Sequence, residues 1–301
     1  MDAGCLSRMP DAGCRGNRRR ADKWESDAFG FVYRFCRVWH HAYPPHVALL
    51  ARALAGLLFT VTAHADTGAA SAPVPTGPKA FTHNPLYRSG KLTVPCGRQP
   101  EDSGSVTAAK KHLTAMLGCL NASWSAQLKK AHLPFKKPTI RFMTKPSRAC
   151  GSTWAKNTTG RYCTDERQMV ILIDDYAIQD PADPVALHLI AHEYAHHVQN
   201  LTGIRPVAYT KAQSLVQSRR EELQADCLGA AFMGSIWASQ EYKDEDWKDV
   251  VDIYRNSGDE KVNKERTHGT GKNRVAWLQK GFAAASPAAC NTWTAPASRI
   301  A

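Results

Sequence analysis

The chain carries the string HEYAH at residues 192–196. On a helix, His192 and His196 would lie one turn apart and project from the same face. Two neutral imidazoles in that geometry can share one zinc ion. Glu193 directly follows the first histidine and would sit beside such an ion, close enough to take a proton from bound water. The spacing therefore predicts hydrolytic zinc chemistry, with the two histidines as metal ligands and the glutamate as general base.

A third ligand is available downstream, where Glu222 and Asp226 are four residues apart on a second helical pattern. Glu222 could complete a site of two histidines and one glutamate and leave a fourth position open for water. Asp226, one turn further on, could orient a ligand histidine through its free ring N–H. Glu221 competes as the ligand, but it would face away from Asp226, so Glu222 is preferred. The alternative is a solvated acidic face that pairs with Arg219 and Arg220.

The HEYAH string lies within a clearly bounded helical pattern. Asp183 followed by Pro184 is typical of a capping residue and a first-turn proline, and Gly203 is a plausible stop. An apolar stripe suited to a core follows spacings of three and four, at Leu187, Ala191, Tyr194 and Val198. The alternative is a core helix whose histidines are merely hydrogen-bonded. His188 continues the histidine run, but about 12 Å of helix rise separates it from His196, so we expect it to be packed or at the surface.

Four short strings together resemble the bacterial putative neutral zinc metallopeptidase family. They are HEYAHHVQ at 192–199, ELQADC at 222–227, THG at 267–269 and CNT at 290–292. The resemblance extends over roughly residues 84–293. It implies a zincin-like peptidase core in which His192, His196 and Glu222 bind zinc and Glu193 is the catalytic base. Relatives often carry glycine where Ala195 stands, a small change that points away from the metal.

The N-terminal part predicts export. A short apolar run covers residues 53–62 after Arg52, and a small-x-small cleavage pattern follows at residues 63–65. A run of this length is too short to cross a bilayer stably, and the alternative is a buried helix. The basic and aromatic-rich region before it is long for a signal, which favours a translation start downstream of Met1 or an unusually long leading segment.

The predicted organisation has three parts. Residues 1–65 are interpreted as an N-terminal extension and secretory signal. Residues 66–83 are rich in proline, alanine, glycine and threonine, which is typical of a flexible linker. Residues 84–301 are expected to form the zinc metallopeptidase domain.

Cysteine usage agrees with an oxidising compartment. Of nine cysteines, six follow residue 65, an even number that suits disulfide pairing. Six cysteines allow about fifteen connectivities. We expect two short loops and one long one, formed by the pairs Cys96–Cys119, Cys150–Cys163 and Cys227–Cys290.

Periodicity predicts a helix-rich α+β fold. Apolar residues recur at helical spacings over 105–131, and helices are also expected at 246–254 and 273–284. Residues 139–143 alternate like a strand, and the apolar run 169–173 is typical of a buried strand. We therefore expect a small sheet beside the metal-binding helix, whose edge strand could align an extended peptide by backbone hydrogen bonds.

These features predict an exported zinc-dependent peptidase that uses a zinc-activated water and Glu193 as general base. His268, in a loop with two nearby glycines, is the candidate for a further catalytic residue that donates to the oxyanion, and a structural histidine is an equal alternative. Two other classes stay open. One is a zinc-stabilised binding protein with weak catalysis, and the other is an amidase or endopeptidase of cell-wall peptides. A serine hydrolase is disfavoured because no GxSxG string occurs.

The charge balance adds little about partners. The formal net charge is +12, and a basic surface favours anionic molecules. The basic pairs are scattered, however, without the interleaved aromatic residues that stack on bases. We expect a peptide or protein substrate, no nucleic acid and no stable membrane insertion after signal cleavage. The sequence does not indicate an oligomeric state.

Overall fold

The computed structural model describes residues 72–99, 102–154, 158–204, 211–261 and 266–301. The helices are α1 (Pro78–Thr82), α2 (Val106–Lys130), α3 (Asp175–Gln179), α4 (Pro184–Thr202), α5 (Lys211–Ile236), α6 (Asp244–Asn256) and α7 (Gly271–Ala284). The strands are β1 (Thr139–Met143), β2 (Arg148–Ala149), β3 (Ser152–Thr153), β4 (Gly160–Cys163) and β5 (Gln168–Leu172). Short 3-10 helices include Pro85–Arg88, Trp237–Gln240, Asp259–Lys261 and Pro287–Cys290. This helix-rich architecture with a small mixed sheet confirms the predicted α+β class.

Helix α4 begins and ends at the residues that the sequence indicates. The Asp183 side chain accepts hydrogen bonds from the N–H groups of Val185 and Ala186, and Pro184 occupies the first turn. Gly203 ends the helix with a left-handed backbone, at a φ of 72°, which glycine adopts without a Cβ clash. The helix packs against α2, α5, α6, β4 and β5 and so joins the helical part of the fold to the sheet.

The sheet has the strand order β1-β5-β4. Strand β1 pairs with β5 in parallel, and β4 pairs with β5 antiparallel, so β4 is an outer strand of this sheet. The predictions of β1 and β5 are confirmed. The sequence did not indicate β4, whose four residues are all buried and show no alternation, or the two-residue strands β2 and β3.

Helices α5 and α7 approach each other closely at two glycines. A Cβ on Gly281 would lie 2.0 Å from the backbone oxygen of Cys227, and one on Gly234 would lie 2.1 Å from the backbone oxygen of Phe282. Any side chain at either position would push the two backbones apart. This close packing brings Arg274 on α7 beside Asp226 on α5.

Three disulfide bonds confirm the predicted pairing. They are Cys96–Cys119, Cys150–Cys163 and Cys227–Cys290, with Cα–Cα distances of 5.4, 5.1 and 5.5 Å. The last one ties α5, one residue after Asp226, to the 3-10 helix at Pro287–Cys290.

The first described residues are fastened to elements far along the chain. Asn84 donates to the Thr202 carbonyl at 2.8 Å across a separation of 118 residues. Gln240 donates to the Cys96 carbonyl at 3.1 Å, and Ser286 donates to the Gly90 carbonyl at 2.8 Å. These bonds anchor the N-terminal segment of the domain to helices that form its core.

The predicted extension and signal, residues 1–65, lie outside the described residues. The predicted linker, 66–83, contains α1, in which Ala80 is buried and Phe81 stacks on Trp293 with ring centroids 4.6 Å apart. The domain boundaries stay predictions. Within the described ranges, no helix combines the length and the hydrophobicity that crossing a membrane requires.

Candidate metal centre

Three buried side-chain atoms converge between α4 and α5. The Nε2 atoms of His192 and His196 are 3.2 Å apart, and Glu222 Oε2 lies 3.2 Å from the first and 3.3 Å from the second. With bonds of about 2.0 to 2.1 Å, the ligand atoms of a tetrahedral zinc ion lie about 3.3 Å from one another. The triangle therefore fits three protein ligands of one zinc ion and leaves a fourth ligand position. These side chains form the group in the described part of the chain that could hold a metal ion.

Close helix packing produces this convergence. The two histidines are one turn apart on α4, as the sequence predicts, while Glu222 comes from α5. At Gly229 of α5, a Cβ would lie 3.0 Å from the backbone nitrogen of His192, so the two helices almost touch beside the site. The structure brings Glu222 to the histidine pair, and Glu221 stands outside this group.

The three side chains of the triangle stabilise one another in their charged forms. Burial raises the pKa of Glu222, but His196 and His268 outweigh it and hold the pKa well below its ordinary value. Burial lowers the pKa of His192, but hydrogen bonds to Asp226 and Glu222 raise it to about 10. The pKa of His196 is also raised, because the Glu222 carboxylate outweighs the effect of burial. The three side chains therefore form a strongly polar cluster in a buried setting, which suits a divalent cation.

Asp226 lies behind His192, where the sequence places it. Its Oδ1 is 2.9 Å from His192 Nδ1. Burial raises the pKa of Asp226, but Arg274 and His192 outweigh it, so the pKa lies below its ordinary value. The carboxylate can only accept, so His192 donates to it through Nδ1, and Nε2 is the ring nitrogen directed at the candidate metal position.

Sequence reasoning missed Arg274. Its Nε donates to Asp226 Oδ2 at 2.9 Å and its Nη2 donates to Oδ1 at 3.0 Å, a two-point contact between fully buried groups. The guanidinium also lies over the ring of Tyr254, 4.6 Å from its centroid. No local pattern marks Arg274, and only the need of a buried carboxylate for a buried cation could have indicated such a residue.

His188 is buried and packed, which is one of the two outcomes expected for it. Its Nδ1 is 2.5 Å from the Tyr254 hydroxyl, and its Nε2 is 3.0 Å from the Asp226 carbonyl. Burial lowers its pKa to about 4. The ring is therefore neutral at neutral pH, and it packs between the Tyr254 hydroxyl and the Asp226 backbone.

Glu193 faces β4. Its side chain is buried, and neither carboxylate oxygen makes a hydrogen bond of normal geometry with the described residues. Burial raises its pKa, although the nearby His192, His196 and Tyr162 N–H act in the opposite direction. A Cβ on Gly160 would lie 3.0 Å from Glu193 Cγ, so the strand touches the glutamate side chain. A raised pKa and uncommitted oxygens suit a group that accepts and releases a proton.

His268 also reaches the site. Its Nε2 is 3.6 Å from Glu222 Oε2, and its side chain is 16% exposed, against 1% for His192. The loop is held by Asp259, whose Oδ2 accepts from the N–H groups of His268 and Gly269, both at 2.7 Å. Burial lowers the pKa of His268, which favours the neutral ring. The loop thus places a histidine beside the triangle.

The described part of the chain also resembles known proteins. A family model of putative neutral zinc metallopeptidases matches residues 91–293. The uncharacterized protein YpfJ of Escherichia coli strain K12 is 27% identical over 211 residues, which cover 62% of this chain and 71% of that protein. The uncharacterized protein Mb2605 of Mycobacterium bovis is 30% identical over 130 residues, 36% of this chain and 44% of that protein. No solved structure matches the chain.

Proposed function

Because the chain belongs to the putative neutral zinc metallopeptidase family, we propose that it is an exported peptidase that uses zinc to hydrolyse peptide bonds. The observation that carries the proposal is the triangle of His192 Nε2, His196 Nε2 and Glu222 Oε2, whose sides are 3.2 to 3.3 Å. These three side chains would hold the zinc ion. When bound, zinc makes a water molecule acidic near neutral pH and polarises a carbonyl group.

The remaining roles fall to residues around the triangle. Glu193 accepts the proton of the attacking water and returns it to the leaving amine, a role that its raised pKa and the lack of a normal hydrogen bond from the described residues favour. Asp226 holds His192 in the tautomer that leaves Nε2 free. His268, next to Glu222, donates a hydrogen bond to the carbonyl oxygen of the substrate.

The proposed partner is an extended peptide. Strand β4 is an outer strand of its sheet, and its Gly160 contacts Glu193. A peptide added to such a strand by backbone hydrogen bonds would bring a carbonyl group close to this glutamate. Export is supported by the signal pattern of the sequence, and the three disulfides are compatible with an oxidising compartment.

One experiment tests the proposal directly. The purified domain should contain about one zinc ion per chain and should cleave members of a peptide library, with cleavage stopped by a chelator and restored by zinc. Glu193→Gln should keep the zinc and lower kcat/KM by about 10²- to 10⁴-fold, the range expected for a lost general base. Glu166→Gln, an exposed change of the same type, is the matched control. Full activity of Glu193→Gln would refute the mechanism.

One observation favours the alternative of a zinc-stabilised protein with weak catalysis. Glu193 is only 1% exposed, and both histidines of the triangle are fully buried. In that case zinc removal would lower the melting temperature, while Glu193→Gln would leave every measured property unchanged. The peptide digest and the melting curve together distinguish the two functions.

A further inference from the structure

We propose that Gln199 is a positioning residue of the metal centre, which fixes the ring orientation and the tautomer of His196. The inference rests on the proposed function, because it assumes that His196 Nε2 binds the metal ion. Gln199 lies on α4, three residues after His196, and its side chain is fully buried. Its Oε1 is 2.8 Å from His196 Nδ1.

The orientation of the Gln199 amide follows from its other contacts. Its Nε2 is 2.9 Å from the backbone oxygen of Glu221. A carbonyl oxygen can only accept, so the NH₂ group must face Glu221 and the amide oxygen must face His196. His196 Nδ1 must then carry the hydrogen, which leaves the lone pair of Nε2 for the metal ion.

A second glutamine extends this arrangement into a chain of hydrogen bonds with one direction. Gln199 Nε2 also donates to Gln224 Oε1 at 3.0 Å, and Gln224 Nε2 donates to the Cys290 carbonyl and to the Tyr87 hydroxyl, each at 2.9 Å. Because the Cys290 carbonyl can only accept, the NH₂ group of Gln224 must face it, and the Gln224 amide oxygen must face Gln199. This series of hydrogen bonds therefore runs from the carbonyl of the disulfide-bonded Cys290 to His196, and the orientation of both glutamine amides in it is determined.

The two histidines of the triangle are thus oriented by different chemistry. His192 donates to an ionised carboxylate, Asp226, which Arg274 neutralises. His196 donates to a neutral amide, which needs no counter-charge in a buried setting. Both imidazoles are therefore oriented, but only the partner of His192 requires a buried ion pair.

The test compares zinc affinity, measured by competition with a chromophoric chelator, in the wild type and two glutamine variants. Gln199→Leu should weaken zinc binding by about 10- to 100-fold, the usual effect of losing a partner of a ligand histidine. Gln127→Leu is the matched control, because Gln127 is 1% exposed and donates to Ser89 and Gly90, away from the triangle. The control should lose stability and keep its zinc affinity.

A conservative variant separates positioning from a structural role. Glu at position 199 could still accept from His196 but would place an acceptor against the Glu221 carbonyl. Gln199→Glu should therefore be unstable and yet bind zinc more tightly than Gln199→Leu, with a cobalt(II) absorption spectrum close to that of the wild type. This variant, and the milder Gln224→Met, still give a result if Gln199→Leu does not fold.

The outcomes identify which idea fails. If the wild type binds no zinc, the proposed function is wrong and the role of Gln199 falls with it. If the wild type binds zinc and Gln199→Leu binds it as tightly as Gln127→Leu does, only the positioning role is wrong. The same conclusion follows if Gln199→Glu binds zinc no better than Gln199→Leu, because then the acceptor oxygen has no effect.

Discussion

The two sides of the candidate metal centre are built differently. On the helical side, formed by α5 and α7, the Asp226 carboxylate contacts both His192 and Arg274 through three contacts of 2.9 to 3.0 Å. On the sheet side, formed by β4, both oxygens of Glu193 lack a normal hydrogen bond with the described residues. The group proposed to orient a ligand histidine is thus held by several contacts, whereas the group proposed to exchange a proton has no normal hydrogen bond from the described residues.

Glycines serve opposite purposes on the two sides. On the helical side, Gly234 and Gly281 let two backbones touch and lock Asp226 against Arg274. On the sheet side, Gly160 leaves space for the Glu193 side chain, which a methyl group would crowd. The comparison teaches that tight packing fixes the residues behind the candidate metal ligands, whereas the proposed base has little space beside it and no normal hydrogen bond from the described residues. The following changes test that difference, beginning with the largest effect.

Replacement of Arg274 should have the largest effect on stability. Arg274→Leu would leave the Asp226 carboxylate buried without its cation, which should lower the free energy of unfolding by about 3 to 5 kcal/mol. Urea denaturation of the zinc-loaded protein measures the change. Arg255→Leu is the control, since Arg255 pairs with Asp252 at the surface, where a lost ion pair costs about 0 to 1 kcal/mol. Equal losses in both variants would contradict a rigid helical side.

Stability should also fall in acid through two buried histidines of α4. His188 contacts Tyr254 on the helical side, and His197 Nδ1 is 3.0 Å from the Tyr162 hydroxyl on β4. Burial lowers the pKa of His188 and of His197 from 6.5 to about 4. The unfolded chain therefore binds protons before the folded chain does, so stability is lost as pH falls from about 6.5 towards 4. Each histidine should contribute about 1.4 kcal/mol per pH unit in this window. His197→Gln should reduce the slope of unfolding free energy against pH by that amount, and an unchanged slope would refute a neutral buried His197.

The smallest effect is expected at Gly160. Gly160→Ala places a methyl group about 3.0 Å from Glu193 Cγ, which would displace the carboxylate by a few tenths of an ångström. We expect kcat/KM to fall roughly two- to tenfold, because catalytic groups tolerate little displacement, and zinc affinity to stay constant. Gly118→Ala on α2, where a Cβ meets nothing within 4 Å, should stabilise the helix and leave activity unchanged. A loss of zinc in Gly160→Ala would show that the two sides are not independent.

The sequence predicted those parts of the molecule that depend on local spacing. The cap at Asp183 and the stop at Gly203 are local signals, and the structure has both. The pair of histidines and Glu222 are also marked by helical spacing. Arg274, by contrast, is 48 residues from Asp226, and the contact exists only because α5 and α7 touch at their glycines. Gln199 is three residues from His196, and the sequence could have indicated it if its amide had been considered as a partner of the ring.

Strand β4 was missed for a related reason. Its four residues all have low exposure, so they show no alternation of polar and apolar residues, and its pairing with β5 is visible only in three dimensions. The parallel pairing of β1 with β5 likewise depends on a connection that periodicity cannot indicate. Local sequence thus predicts helices and ligand spacing, whereas the partners that complete the site come from tertiary packing.

The fastening of the N-terminal segment to the later helices has a kinetic consequence. The bonds from Asn84 to Thr202, from Gln240 to Cys96 and from Ser286 to Gly90 span 118, 144 and 196 residues. Contacts between such distant parts of a chain form late, because a long loop must close before they contribute any stability. The domain should therefore fold slowly for its size. Its N-terminal segment should remain exposed to chaperones and proteases until the C-terminal helices have packed against it.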